Sequence, residues 1–386
     1  MPSETLLKYN PLLDGLRFFA VLLVLIAHWV PSTSVLNALP NGAIGVTLFF
    51  VLSGYLITSI LLGFKTEILR GHNTVLGGLG HFYLRRTLRI FPIYYLTLLG
   101  LYLLPDVTGT SIRDGWPIYA LFLQNFWMYS QGEFDGILGH FWTLAVEEQF
   151  YLLWGPAVLA LSFRRLWWVA GTMIGIGLFT HVAGYALYQN GIGSALYFVL
   201  TPACFDGFAV GAVLALLIQR APGRATVTQN ILGIIGLGFL GGVLAARSMD
   251  AGASELLAHG AIVACGGYVI LGLITGRAPG WLRRLLGFRP FVIIGKMSYG
   301  MYVYHNLVPH LGRSFESFLA KRGLAPDWLI FLLAEQGSAK YVVWTAALLG
   351  MSYISWRFIE SPINGLKARF GYETNRKARE AARSAA

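Results

Sequence analysis

Cysteine is nearly missing from this chain. Cys204 and Cys265 are the only two among 386 residues, which leaves no disulfide framework and no paired thiolate spacing for a metal, so no metal is expected. Both lie inside apolar runs and read as small buried hydrophobes. Charge is scarce as well: 12% of residues are charged against 56% hydrophobic, and mean hydropathy is +0.61. That is far more apolar surface than a soluble core of this length buries. Acidic residues are the scarcer sign, 18 against 29 basic, for a net charge of +11. The basic residues are scattered between apolar runs and form no single patch, which argues against nucleic acid as a partner. The N-terminus also lacks the plan of a cleaved leader. Glu4 accompanies Lys8, and the first apolar run holds an Arg and a His where a signal peptide has an uninterrupted apolar stretch.

What is present in abundance is apolar sequence of helical length. The runs predict an all-α, polytopic membrane protein with about ten spans. These are Leu12 to Trp29, Gly42 to Leu62, Arg89 to Leu104, His140 to Leu161, Leu166 to Tyr188, Ala195 to Ile218, Ile231 to Ala246, Leu256 to Ile274, Phe291 to Leu311 and Tyr341 to Phe358. A polar, basic stretch, Phe64 to Arg89, separates the second from the third, and a short apolar piece, Trp328 to Leu333, precedes the last. The long loop from Pro105 to Gly139 contains an aromatic run, Trp116 to Tyr129, expected to dip into the interface without crossing. Lys and Arg collect in every second loop, for example at Arg85 and Arg86, Arg164 and Arg165, Arg220 and Arg224, and Arg283 and Arg284. By the positive-inside rule both termini are cytoplasmic, and the span count is even. One membrane-embedded domain, 1–366, is expected, followed by a short polar tail, 367–386.

The first span carries the ionisable residues that matter most. As a helix, the steps from Arg17 to His28 cover roughly 16 Å, half a hydrocarbon core. They also make about three turns, so Asp14, Arg17 and His28 fall on one stripe. Ionisable groups in a membrane segment are costly and normally face a protein interior or a watery cavity. Arg17 snorkelling to the headgroups, with His28 at the far interface, is the competing structural explanation.

Further clusters follow. In FYLRRTLRI, Arg86 and Arg89 sit three apart on one helical face with Arg85 beside them. Clustered guanidinium groups make a phosphate site, because each is a permanent charge with a planar fork of donors, although topology alone also calls for basic residues here. In HFWTLAVEEQFYLLW, the spacing of His140, Thr143, Glu147, Tyr151 and Trp154 predicts one helical face with an imidazole, a carboxylate and a phenol. Glu147 and Glu148 point about 100° apart and are not expected to act as a pair. In MSYGMYVYHNLVPH, Ser298, Tyr302 and His305 share a stripe, where a lone histidine is more often a packing residue than a base. Gly45, Ser53 and Gly54 in the second span permit close helix contact, or alternatively leave room for an acyl or pantetheine tunnel.

These motifs, together with DGLRFFAVLLVLIAHW, GAIGVTLFFVLSGYLI, FYLRRTLRIFPIYYL and WRFIESPI, occur in the order and spacing of the acyltransferase type 3 family, which the chain resembles from Asp14 to Pro362. The resemblance implies a ten-helix domain in the bacterial inner membrane. It would move an acyl group from cytoplasmic acyl-CoA, acetyl-CoA or succinyl-CoA, to a hydroxyl of a carbohydrate or glycoconjugate acceptor, with membrane lipid around it. Residue by residue it implies Arg17, Arg86 and Arg89 as donor-binding groups, His28 and Glu147 as catalytic groups, and Ser298, Tyr299 and His305 as the motif of the ninth span. Asp14, His140, Tyr151 and Tyr302 join Ser298 and His305 as candidate substrate contacts. Many members have an acidic residue where this chain has Thr47, which tells against acid-base work in the second span. Many also carry a C-terminal esterase-like domain outside the membrane, and the chain ends before one, so it is expected to act alone on its acceptor.

The mechanism expected from these readings has His28 as general base on the acceptor hydroxyl, which needs a neutral imidazole. Glu147 would orient His28 or the acceptor. Transient acylation of His28 itself is the variant. A secondary transporter would also bury Arg, His and Glu, but no clear internal repeat is visible. A non-catalytic membrane protein gives no reason for arginines aligned with a histidine.

Overall fold

The computed structural model describes residues 9–108, 112–246, 251–323 and 338–366. The expected tail, 367–386, and the apolar piece, 328–333, lie outside the described residues. Among the described residues the chain is helical, with no strand. Among these described residues seven helices are long and apolar enough to cross a membrane, as expected of a multi-pass membrane protein.

Helix α1, Pro11–Trp29, starts where its sequence says it should. The Asn10 side chain accepts from Leu12 N at 3.0 Å, and Pro11 occupies the first turn, where its missing N–H costs nothing. Helix α2, Asn41–Leu69, and helix α3, Val75–Leu103, are both 29 residues long. The polar stretch expected between them is therefore mostly helix, broken only around Gly71, whose φ of +72° suits glycine. Its charges have partners that allow this. Buried Lys65 donates to the carbonyls of Val158 (2.9 Å), Leu159 (3.3 Å) and Leu161 (2.6 Å). Glu67 holds Arg70 and His72. Lys65 thus caps the end of α4, Trp142–Ala160, with a charge of the sign that a helix C-terminus favours.

In the loop between α3 and α4, the aromatic run forms helices Trp116–Ala120 and Gln124–Gln131, both too short to cross a membrane. Gln149 of α4 anchors this loop through Phe122 O (2.7 Å) and Asn125 Oδ1 (2.9 Å). Helix α5, Phe163–Gln189, follows. The sixth expected span begins as two 3-10 turns, Ala195–Val199 and Thr201–Cys204, before α6, Phe205–Arg220. Helices α7, Ala225–Ala246, and α8, Ala251–Ile274, pack against each other. Cys204 is buried as expected, but Cys265 of α8 is exposed. Gly236 of α7 lies opposite its sulfur and has no side chain with which to cover it.

The ninth span is not one helix. After α9, Gly280–Leu286, it divides into α10, Arg289–Lys296, α11, Ser298–Tyr304, and α12, Leu307–Lys321. Pro309 has no N–H to give the carbonyl of His305. That carbonyl accepts instead from Trp29 Nε1 at 3.0 Å, which ties the break to the end of α1. The third and fourth expected spans, α3 and α4, are continuous helices. Neither is among the seven; α3 carries Arg85, Arg86 and Arg89, and α4 carries Glu147 and Glu148. Helix α13, Ala339–Ser355, runs into a π turn, Trp356–Glu360. Ser355 accepts from Tyr304 (3.2 Å) and donates to Glu360 (3.1 Å), fastening α11 from outside.

Helix α2 is the hub, touching α1, α3, α4, α6 and α8. Its glycines decide between the two readings of that span in favour of contact. A Cβ at Gly54 would overlap the backbone of Phe208 in α6, and one at Gly45 would meet Ala20 O of α1. Gly211 of α6 presses reciprocally on the backbone of Val51 and Tyr55. The start of α1 is clasped in the same way, Gly15 against the Leu286 backbone and Gly295 against the carbonyl of Asp14. Such approaches bring main chains together where the apolar effect between helices is weak.

Candidate active site

Two cavities lie back to back along α1 and α2. The smaller, about 100 Å³, has Arg17 of α1, Ser53 of α2, Arg86 and Arg89 of α3, Glu147 and Tyr151 of α4 and Ser298 and Tyr299 of α11 on its walls. Arg17 is aimed by Asp14, one turn earlier, at 2.8 Å. The other Asp14 oxygen accepts from Tyr9 OH at 2.7 Å, and burial beside that carboxylate pushes the Tyr9 phenol up to about 12. Glu147 accepts from Ser53 Oγ at 3.0 Å and from Tyr151 OH at 2.7 Å. The Arg86 guanidinium lies 6.0 Å from the centre of the Tyr151 ring, and its Nε is buried without a hydrogen-bond partner. Among the described residues neither Arg86 nor Arg89 reaches a carboxylate at salt-bridge distance. Glu147 is already occupied by two hydroxyl donors, and Arg86 and Arg89 keep donors free on the cavity wall, which suits an anion.

The larger cavity, about 950 Å³, is bounded by His28 of α1, Asn37, Thr47, His140, Asn306 and aromatic side chains including Phe134, Trp142 and Phe198. Aromatic walls with scattered amide and imidazole groups suit a polar ring compound with apolar faces. His28 is exposed, and the space it faces is this cavity. Its ring lies 4.9 Å from that of His305, which lies 4.4 Å from that of His140. His305 is fully buried, with Nδ1 on Tyr302 O at 2.6 Å and Nε2 without a partner. His140 is held by Val303 O at 3.3 Å and by Asn306 Nδ2 at 3.1 Å.

Val46, Phe50 and Tyr302 line both cavities. They form a partition one side chain thick. Tyr302 OH is fixed by Thr143 Oγ1 at 2.7 Å and His140 O at 3.0 Å.

The structure therefore gathers Arg17, Arg86, Arg89, Glu147, Tyr151 and Ser298 on one side, places His28 and His140 on the other, and sets Tyr302 between them. Asp14 and His305 line neither cavity; Asp14 orients Arg17 and His305 backs His28. Two expectations are corrected. Glu147 does not orient His28, because its partners are Ser53 and Tyr151 in the other cavity. Nor does His140 share a helical face with Glu147: it belongs to the 3-10 turn Gly136–Phe141, and α4 starts only at Trp142. Sequence reasoning left Ser53 between helix packing and a tunnel wall and did not foresee its bond to Glu147, and it missed the role of Asn306, which stands beside His305 in a motif already singled out. It also did not join His28, His140 and His305, which are too far apart in the chain for any spacing rule.

The sequence model of a family described as an acyltransferase domain matches residues 10–359. The peptidoglycan O-acetyltransferase OatA of Listeria monocytogenes is 29% identical over 386 residues, covering 92% of this chain and 56% of the relative. The O-acetyltransferase OatA of Staphylococcus aureus is 29% identical over 399 residues, covering 94% and 58%. The chain thus spans little more than half the length of these curated relatives. No solved structure matches.

Proposed function

The chain belongs to the acyltransferase type 3 family, and from that membership and the two cavities we propose that it is a membrane O-acyltransferase, taking an acetyl group from acetyl-CoA to a hydroxyl of a cell-envelope carbohydrate. The observation that carries this reading is the division of labour across one thin wall. On one side stand Arg86 and Arg89, which among the described residues reach no carboxylate at salt-bridge distance, together with Arg17 aimed by Asp14, and on the other an open imidazole. The proposed setting is a bacterial inner membrane crossed ten times, both termini cytoplasmic, so that the arginine cavity opens inward and the His28 cavity outward.

In this scheme Arg17, Arg86 and Arg89 hold the donor's phosphates, and the thioester lies against the partition near Ser298 and Tyr302. The smaller cavity, about 100 Å³, is well below the size of a typical ligand pocket. That favours the shortest acyl group and requires movable side chains to part, Tyr151 and the arginines for the pantetheine arm and the partition side chains for the acceptor hydroxyl to meet the thioester. The acceptor ring lies among Phe134, Trp142 and Phe198. Neutral His28 takes the proton of its hydroxyl as the oxygen attacks the thioester carbonyl. The carbon–sulfur bond breaks, and the imidazolium returns the proton to the leaving thiolate. His305 and His140, packed behind His28, fix the plane of its ring. Glu147 holds Ser53 and Tyr151 in position and gives the arginines a partial counter-charge.

The names of the relatives, which specify O-acetylation and in one case peptidoglycan, support both the acetyl donor and a glycan acceptor. The test is release of free CoA thiol from acetyl-CoA by the purified chain, with and without peptidoglycan fragments and other envelope glycans. Acceptor-dependent release together with an acetylated glycan by mass spectrometry is expected. A chain that binds acetyl-CoA but acetylates none of these acceptors would overturn the proposal.

A further inference from the structure

We propose that His181, Asp206 and His259 form a binding site for a divalent transition metal of the zinc class, on the wall of the larger cavity away from His28. The three side chains come from different helices, α5, α6 and α8, and their ligand atoms all lie within 4.8 Å of one another. Asp206 is 2% exposed and aimed. Its Oδ1 accepts from Gly207 N at 2.7 Å, which leaves Oδ2 directed at His259 Nε2, also at 2.7 Å. The rings of His181 and His259 lie 3.9 Å apart, tilted by 35°.

Two imidazoles and one carboxylate are a nitrogen–oxygen donor set. It suits zinc and its first-row neighbours better than calcium or magnesium, which take oxygen alone, or copper(I), which takes sulfur. Bonds of about 2.0–2.2 Å to such an ion would set the ligand atoms roughly 3.4 Å apart, between the closest and the widest spacing seen here, so small side-chain rotations suffice. The cation would also set a full positive charge against the buried Asp206 carboxylate.

Local packing is arranged for the approach. Gly177 sits one turn before His181, and a Cβ there would stand 2.7 Å from Asp206 N and 2.8 Å from Asp206 Cβ, so α5 reaches Asp206 because residue 177 has no side chain. All three ligands line the larger cavity. Three protein ligands leave a coordination position open to that space, which is the usual plan of a zinc site that receives a further ligand. The inference does not depend on the acyl-transfer reading, since the site is defined by its own residues and read by metal binding alone.

The competing account is a plain His–Asp hydrogen bond with no ion. To separate the two, the full chain in detergent is stripped with chelator and titrated with zinc by calorimetry and with cobalt(II) by visible absorption. Saturable uptake of a single equivalent, with ligand-field bands of a low-symmetry nitrogen–oxygen site, is expected. Asp206→Asn and His259→Ala should each lose that equivalent, whereas His72→Ala, distant from the site, should keep it. Absence of saturable uptake by the unaltered chain overturns the proposal. So does full retention in both site variants when they elute as folded protein. Where a variant does not fold, the cobalt spectrum of the unaltered chain decides alone, because a hydrogen-bonded pair gives no such bands.

Discussion

The rings of His28 and His305 lie 4.9 Å apart, tilted by 59°, one open to the larger cavity and the other sealed behind it with an unpartnered Nε2. An imidazole backed this way has its ring plane set by packing, and the two residues should respond differently to loss. His28→Ala is expected to lower acceptor-dependent thiol release by about 10²–10⁴-fold, the usual contribution of a positioned base, with acetyl-CoA binding intact. His305→Ala should lower the same rate by less and leave the KM for donor unchanged. Turnover retained in His28→Ala would remove the general base from the scheme.

Arg86→Ala is expected to raise the KM for acetyl-CoA roughly thirtyfold, about 2 kcal/mol, as befits one charge-assisted contact to phosphate. Arg86→Lys should recover only part of this, since an ammonium cannot reproduce the planar fork. Titrating each variant with desulfo-CoA, which carries the phosphates without the thioester, reads the effect on binding directly.

The partition makes a further demand. With Tyr302→Ala, the wall between the cavities loses a ring and its bonds to Thr143 and to the His140 carbonyl. Water should then reach the thioester, so thiol release without acceptor should rise while release with acceptor falls. The ratio of the two rates in one assay is the measurement.

Lys65→Met removes three charge-assisted bonds to the end of α4 and leaves those carbonyls buried. A loss of stability of about 2–4 kcal/mol is expected, seen as a lowered midpoint in thermal unfolding of the detergent-solubilised chain. Because the substitution lies away from both cavities, the KM for donor in the surviving folded fraction should not change.

The sequence announced much of the scaffold. Asn10 and Pro11 mark the start of α1, and the apolar runs mark where α5, α7 and α8 lie. The arginine cavity was also within reach, because Arg86 and Arg89 share a face by simple helical periodicity. What stayed hidden was non-local. The break before Leu307 depends on Trp29 arriving from the other end of the chain to accept the role that Pro309 cannot fill. The partnership of Glu147 depends on Ser53, far from it in sequence. His140 misled because periodicity assumes that the helix has already begun, while the 3-10 turn before Trp142 re-aims its imidazole. His181, Asp206 and His259 carried no signal at all, since no ligand spacing links residues so widely separated.

The main-chain contacts between α2 and α6, Gly54 on Phe208 and Gly211 on Val51, have a consequence for movement. Helices that meet backbone to backbone are keyed to each other and cannot slide or rock past one another without steric overlap. An alternating carrier needs such rocking between halves. In this protein α2 and α6 are bound into one unit, so any such rocking would have to carry the pair together.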